Sequence, residues 1–182
     1  MAKKTAEEKQ QEREEKLQVR EESLMQNYTN DEGKMQEGCK LLGKDAKNFY
    51  LYNPYNEILM QEASRQSQIE IEVPSWSEIF PMDCWYAKPK NFVCQLKKIA
   101  GKDLANPLLK NKRLLLLING DVFYSMSPER KKYHLLKELT RILYDTEKDK
   151  LKILKYEYQN NNVVMDTFGA NPTEQELKEK FQ

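Results

Sequence analysis

Apolar and polar positions along the chain sort into a few readable patterns. Arg113 to Asn119 is a short, nearly all-apolar run closed by Asn119-Gly120-Asp121, which predicts a strand covered on both faces. Ser127-Pro128 then supplies a hydroxyl cap and a proline at the first helical position. Beyond it Leu135, Leu136, Leu139, Ile142 and Leu143 make one apolar stripe, which predicts a helix of about four turns. At roughly 100° per residue, His134, Lys137, Glu138 and Arg141 fall on the opposite, solvated face.

Other stretches are shorter. Pro54 to Gln66 predicts a helix with Ile58, Leu59 and Ala63 on one side. Gln68 to Val73 alternates strictly, with Ile69, Ile71 and Val73 inward, and predicts a half-buried strand. Pro74 and Pro81 bracket a loop carrying Trp76 and Phe80, followed by Trp85. Residues 28–53 are polar and punctuated by Gly33, Gly38 and Gly43, with short helical pieces between. Lys150 to Phe168 predicts a second helical region through Leu151, Leu154, Tyr158, Val163, Val164 and Phe168, stopped by Gly169.

The two ends differ from the middle. Residues 2–27 are rich in Glu, Lys and Arg at three- and four-residue spacing, which favours a solvated helix. Leu17, Val19, Leu24 and Met25 do not sustain a heptad, so a coiled coil is not expected. Such an arm docks on a partner, docks on its own domain, or stays mobile. The domain plan is therefore a charged arm over 1–27, one α+β domain over 28–169, and a tail or short capped helix over 170–182. The fold class is α+β, a small β-sheet packed with helices.

Composition bounds the function classes. The chain has 182 residues, 39% hydrophobic and 32% charged, which fits one domain with appendages. There is no long apolar run and a Lys- and Glu-rich start, so neither a membrane span nor a signal peptide is expected. Cys39, Cys84 and Cys94 show no CxxC spacing, which points to free thiols in a reducing cytoplasm. A net charge of +1 hides an asymmetry: residues 1–85 carry −6, residues 86–155 carry +10 and residues 156–182 carry −3. The basic middle is suited to phosphates or to an acidic protein surface.

The stretch around the central helix resembles the phage metallopeptidase family. The resemblance runs from Cys84-Trp85-Tyr86-Ala87-Lys88 through the strand Leu114 to Ile118 and Asp121, then a helix over Glu129 to Tyr144, ending near residue 169. It implies a zincin-like core and a phage or mobile-element origin. In that family a helix carries HELxH, whose two His ligate zinc while the Glu activates bound water. Here those positions read Lys137-Glu138-Leu139-Thr140-Arg141, and the downstream His-Asp pair reads Tyr156-Glu157. Lys137 and Arg141 are cations without a lone pair for a metal. The resemblance thus implies a degenerate motif of Lys137, Glu138, Arg141 and Tyr156, with no metal, cofactor or catalysis expected.

The single histidine does not rebuild a zinc site: His134 and Glu138, four apart, are expected to form a hydrogen-bonded pair. Two functions then compete ahead of an unrecognised enzyme. The first is a non-catalytic metallopeptidase-like protein that binds a host or viral protein, in a takeover, inhibitor or assembly role. The second is a nucleic-acid-binding accessory protein. Its surface would be His134, Lys88, Lys90, Lys97 and Lys98, with Trp85 and Tyr86, beside Phe92, as stacking groups.

Overall fold

A computed structural model describes residues 5–29, 35–44, 48–73, 75–86, 88, 90–101, 106–155 and 162–181. It is a mixed α+β fold around a five-stranded sheet. The strands are β1 (Lys40–Lys44), β2 (Phe49–Tyr52), β3 (Ile79–Trp85), β4 (Cys94–Lys98) and β5 (Leu114–Asn119), in the order β1-β2-β3-β5-β4. β3 and β5 run parallel, and every other neighbouring pair is antiparallel. A separate hairpin pairs β6 (Ile142–Asp145) with β7 (Lys150–Ile153).

β5 forms where the apolar run predicts it, because a strand with β3 on one side and β4 on the other has no polar edge to present. Leu114, Leu116 and Ile118 project into the main core with Cys94 and Leu96. That core is closed by the helices α2 (Tyr55–Ser67), α4 (Pro128–Leu139) and α6 (Glu174–Lys180). α4 starts on the predicted cap: Ser127 Oγ accepts from the Arg130 backbone N–H, with Pro128 at the first helical position.

Several sequence expectations are corrected. α4 stops at Leu139, and Ile142 to Asp145 turn into β6, so the stripe reflects Leu135, Leu136 and Leu139 alone and Leu143 is exposed. Lys150 opens β7 rather than a helix; among the described residues the next helix is α5 (Asn162–Phe168). Tyr156 and Tyr158 lie outside the described residues. Gln68 to Val73 is not a strand: Gln68 ends α2 in the left-handed region (φ 58°), and the chain folds back along the helix. Ser64 Oγ donates to the Ile69 carbonyl at 2.6 Å and Ser67 Oγ accepts from the Ile69 N–H at 3.3 Å. Side chains thus satisfy backbone that a strand neighbour would otherwise hold, while Ile69 and Ile71 are still buried.

The Gly-punctuated segment is also different. It forms the β1–β2 hairpin, with a bulge between Leu41 and Gly43, instead of short helices. Pro81 sits inside β3, opposite Leu116 of β5, at a level beyond the β2 pairing, which ends at Asp83. A missing N–H is tolerated where one flank of the strand is unpaired. On α2, Leu59, Met60 and Ala63 face the core while Ile58 is 54% exposed. Gly169 does end α5 with φ +81°, and α6 carries a capping box from Thr173 and Glu176. α6 is no loose tail, since Leu177 and Phe181 are buried in the main core.

The charged N-terminal segment is the helix α1 (Ala6–Met25), capped by Thr5 and Glu8. Its C-terminal end is anchored to the domain. Leu24 and Tyr28 pack with Cys39, Phe49, Leu51 and Trp85 in a second apolar cluster. Arg20 donates to the Tyr86 carbonyl at 2.5 Å and lies over the Phe49 ring. Trp85 is itself met closely by α3 (Gly120–Phe123): a Cβ on Gly120 would collide with the indole. No helix among the described residues is long and apolar enough to cross a membrane.

Candidate functional site

Lys137 and Glu138 lie in the last turn of α4, and Arg141 follows its C-terminal cap, Thr140. Glu138 is only 3% exposed, not on a solvated face as the helical wheel predicts. Its Oε2 accepts from the backbone N–H of Leu96 at 2.9 Å and from Arg141 Nη1 at 2.6 Å. β4 is an edge strand whose other side is paired to β5, so Glu138 caps an outward-facing N–H of that edge. Arg141 Nε also donates to the Leu154 carbonyl at 2.9 Å, joining the end of α4 to the segment after β7. Glu138 and Arg141 therefore form a buried structural pair, and the expected pairing of Glu138 with His134 is replaced by this one.

His134 instead sits edge-on to the Tyr133 ring, 5.4 Å between centroids. Burial, then the nearby Lys137 and Arg130, lower its pKa to about 4, so it is neutral at pH 7. Lys137 lies over Tyr133 at 5.7 Å. Among the described residues no three His, Cys, Asp or Glu side chains group closely enough to hold a metal ion.

The proposed basic surface divides in two. Asn119, at the C-terminal end of β5, donates to the Lys90 and Phe92 carbonyls, which puts Lys88 and Lys90 at that end of the sheet. Lys98 pairs with Leu114 at the opposite end of β5, about 15 Å away along the strand. Lys97 is exposed and, by strand alternation, points to the other sheet face from Lys98. Trp85 is 5% exposed and cannot stack on a base; its Nε1 donates to Tyr28 Oη at 2.8 Å. Tyr86 is half-buried, edge-on to Phe92 and under Lys90.

What folding gathers at the Lys98 end is a stronger cluster than the sequence set. A cleft of about 470 Å³ is lined by Lys98, Lys112, Arg113, Lys150 and Lys152, with Asp149 as the one anion among the described residues. An adjoining recess of about 520 Å³ continues past Lys98 and Lys152 to Lys155. Two of these cations are committed: Arg113 pairs with Asp149 at 2.7 Å and Glu78 at 3.3 Å, and Lys112 with Glu57 at 3.7 Å. Lys98, Lys150, Lys152 and Lys155 carry no ion pair among the described residues. The cluster comes from three places in the chain, the end of β4, the start of β5 and the strand β7, and the hairpin supplies the part that sequence reasoning assigned to a helix.

A second polar centre was not visible in the sequence. Asp83 on β3 is fully buried and takes hydrogen bonds from Tyr28 Oη (2.8 Å), Tyr124 Oη (2.5 Å) and Asn56 Nδ2 (2.8 Å). Burial pushes its pKa up to about 6, against the lowering effect of those donors and of Lys131. The same contacts and burial raise both tyrosines. Asn53 adds a bond to Tyr124 Oη at 3.0 Å, so β3, α2, α3 and the end of α1 meet at one carboxylate. With its carboxylate enclosed by these donors, Asp83 acts as a structural tie. No family model, curated protein or solved structure matches this chain.

Proposed function

We propose that this chain is a non-catalytic binding protein that holds nucleic acid along the basic cleft beside β4 and β7. The observation that carries this reading is the convergence of Lys98, Lys150, Lys152 and Lys155, free of ion pairs among the described residues, on one open cleft. Lysines on a concave surface attract the phosphate backbone by charge and counterion release, without reading bases. The non-catalytic part rests on Glu138, whose carboxylate is engaged by Arg141 and the Leu96 N–H. On this reading the metallopeptidase-like layout, with Lys137, Arg141 and Tyr156 at the former ligand positions, persists as a scaffold, and the protein works in the cytoplasm of a phage's host.

The test is fluorescence anisotropy with a labelled single strand and a labelled duplex over a range of KCl. With about four phosphates neutralised, raising salt from 50 to 200 mM should weaken binding about 50- to 150-fold. Lys98→Glu/Lys150→Glu/Lys152→Glu should abolish most of it, whereas Lys88→Glu/Lys90→Glu at the far end of the sheet should change it less than about threefold. Absence of binding at 50 mM KCl, or equal loss in both variants, would sink the proposal.

A further inference from the structure

The opposite side of the molecule has the reverse chemistry. α1 and the β1–β2 hairpin enclose a groove of about 780 Å³ lined by Glu14, Leu17, Gln18, Glu21, Glu22 and Met25 of the helix, with Lys44 and Phe49 facing them. The six helical positions follow i, i+3, i+4, i+7, i+8 and i+11, one face of α1 about 17 Å long. Leu17, Met25 and Phe49 supply an apolar floor. Glu14, Glu21 and Glu22 supply an acidic rim, and Lys44, the one cation lining the groove among the described residues, is bound to Glu21 at 2.6 Å.

From this we infer that the groove docks a basic amphipathic helix of a partner protein. Charge complementarity selects a basic occupant, because three carboxylates face one lysine across the opening. The apolar floor selects an occupant with hydrophobic anchors on one side, since lysines alone would leave the partly exposed Leu17 and Met25 wet. A helix fits better than an added strand. β1 is the outer strand of the sheet, and its Lys40, its Lys44 and the bulge at Leu41/Gly43 oppose strand-to-strand pairing. The groove is also preformed: Leu24, Tyr28 and Arg20 hold α1 against Phe49, Trp85 and Tyr86, so little ordering cost falls on binding.

The groove shares no residue with the basic cleft, so either can fail alone. The test uses the full chain and a labelled model peptide of about 14 residues, with leucines along one helical face and lysines elsewhere. A peptide of the same composition in shuffled order is its control. The expected result is binding of the amphipathic peptide about tenfold tighter than the shuffled one, and loss of that preference in Glu14→Lys/Glu22→Lys. These glutamates lie at the groove opening, and near-ultraviolet circular dichroism of the variant should be unchanged. Hydrogen exchange should slow only along α1 from 14 to 25 and at β1–β2. Equal binding of the two peptides, indifference to the rim variant, or protection elsewhere overturns the inference. So does concentration-dependent self-association that the rim variant abolishes, since the occupant would then be a second copy of the chain. Nucleic-acid binding through Lys98, Lys150 and Lys152 should be untouched by the rim variant.

Discussion

Asp83 and Glu138 are both carboxylates removed from solvent, yet their partners differ in kind. Glu138 faces a guanidinium and a backbone N–H; Asp83 faces two phenols and an amide, with the charge of Lys131 partly offsetting its own. A buried charge beside a cation keeps its ionisation, because Coulomb attraction replaces part of the lost hydration. A buried charge among neutral donors recovers less, so its proton affinity rises. The first arrangement fastens an edge strand to a helix end. The second ties four elements together and leaves the tie sensitive to protons.

The largest expected effect comes from breaking the charged pair. Arg141→Ala removes the guanidinium from the buried Glu138 carboxylate and should cost about 3–5 kcal/mol in urea unfolding. Glu138→Gln/Arg141→Met keeps an acceptor for Leu96 and should recover most of that loss; no recovery would mean the pair does more than balance charge. Next, Asp83→Ala strands two hydroxyls and an amide and should cost about 2–4 kcal/mol, more than Asp83→Asn, which keeps one acceptor. The reverse order would refute the role of those donors.

The pH dependence is a smaller effect with a definite sign. Burial raises the folded-state pKa of Asp83 to about 6 from its ordinary value of 3.8. Its contribution is therefore complete below about 3.8 and is lost as pH rises through about 6, so lowering pH from 7 to 5 favours the fold. His134 works the other way: lowered to about 4 from 6.5, it favours the fold above 6.5 and opposes it as pH falls toward 4. His134→Gln should therefore uncover an increase in stability between pH 7 and 5, and Asp83→Asn should remove it. A flat profile in His134→Gln would contradict the raised carboxyl. The smallest effect is Tyr28→Phe, about 1–2 kcal/mol, seen as faster hydrogen exchange along the C-terminal turns of α1.

Legibility followed how local each determinant is. Leu114 to Asn119 was readable as a strand because an apolar run closed by Asn-Gly carries its own boundaries. Ser127-Pro128 was readable as a helix start because capping needs only residues within one turn. Glu138 drew attention for its motif position, but its burial depends on β4, some 40 residues earlier, arriving with an unpaired N–H. Asp83 drew none: its donors come from Tyr28, Asn56 and Tyr124, separations that no sequence pattern links. The alternation of Gln68 to Val73 correctly marked which residues are buried and failed on strand, because periodicity reports burial while a strand also requires a neighbour.

The sequence by itself determined the mixed α+β class, the central strand and the start of the central helix, the helical leaning of the charged N-terminal segment and the charge asymmetry between acidic ends and basic middle. Each follows from near-neighbour sterics, capping or summed charge. Only the tertiary structure decided that Lys98 meets Lys150 and Lys152 while Lys88 and Lys90 lie elsewhere. It likewise decided that α1 is fastened at Tyr28 and Trp85, and that the helix end after Leu139 becomes a hairpin. Those outcomes depend on which surfaces meet, and burial rewards any well-packed meeting of apolar faces whatever their distance along the chain.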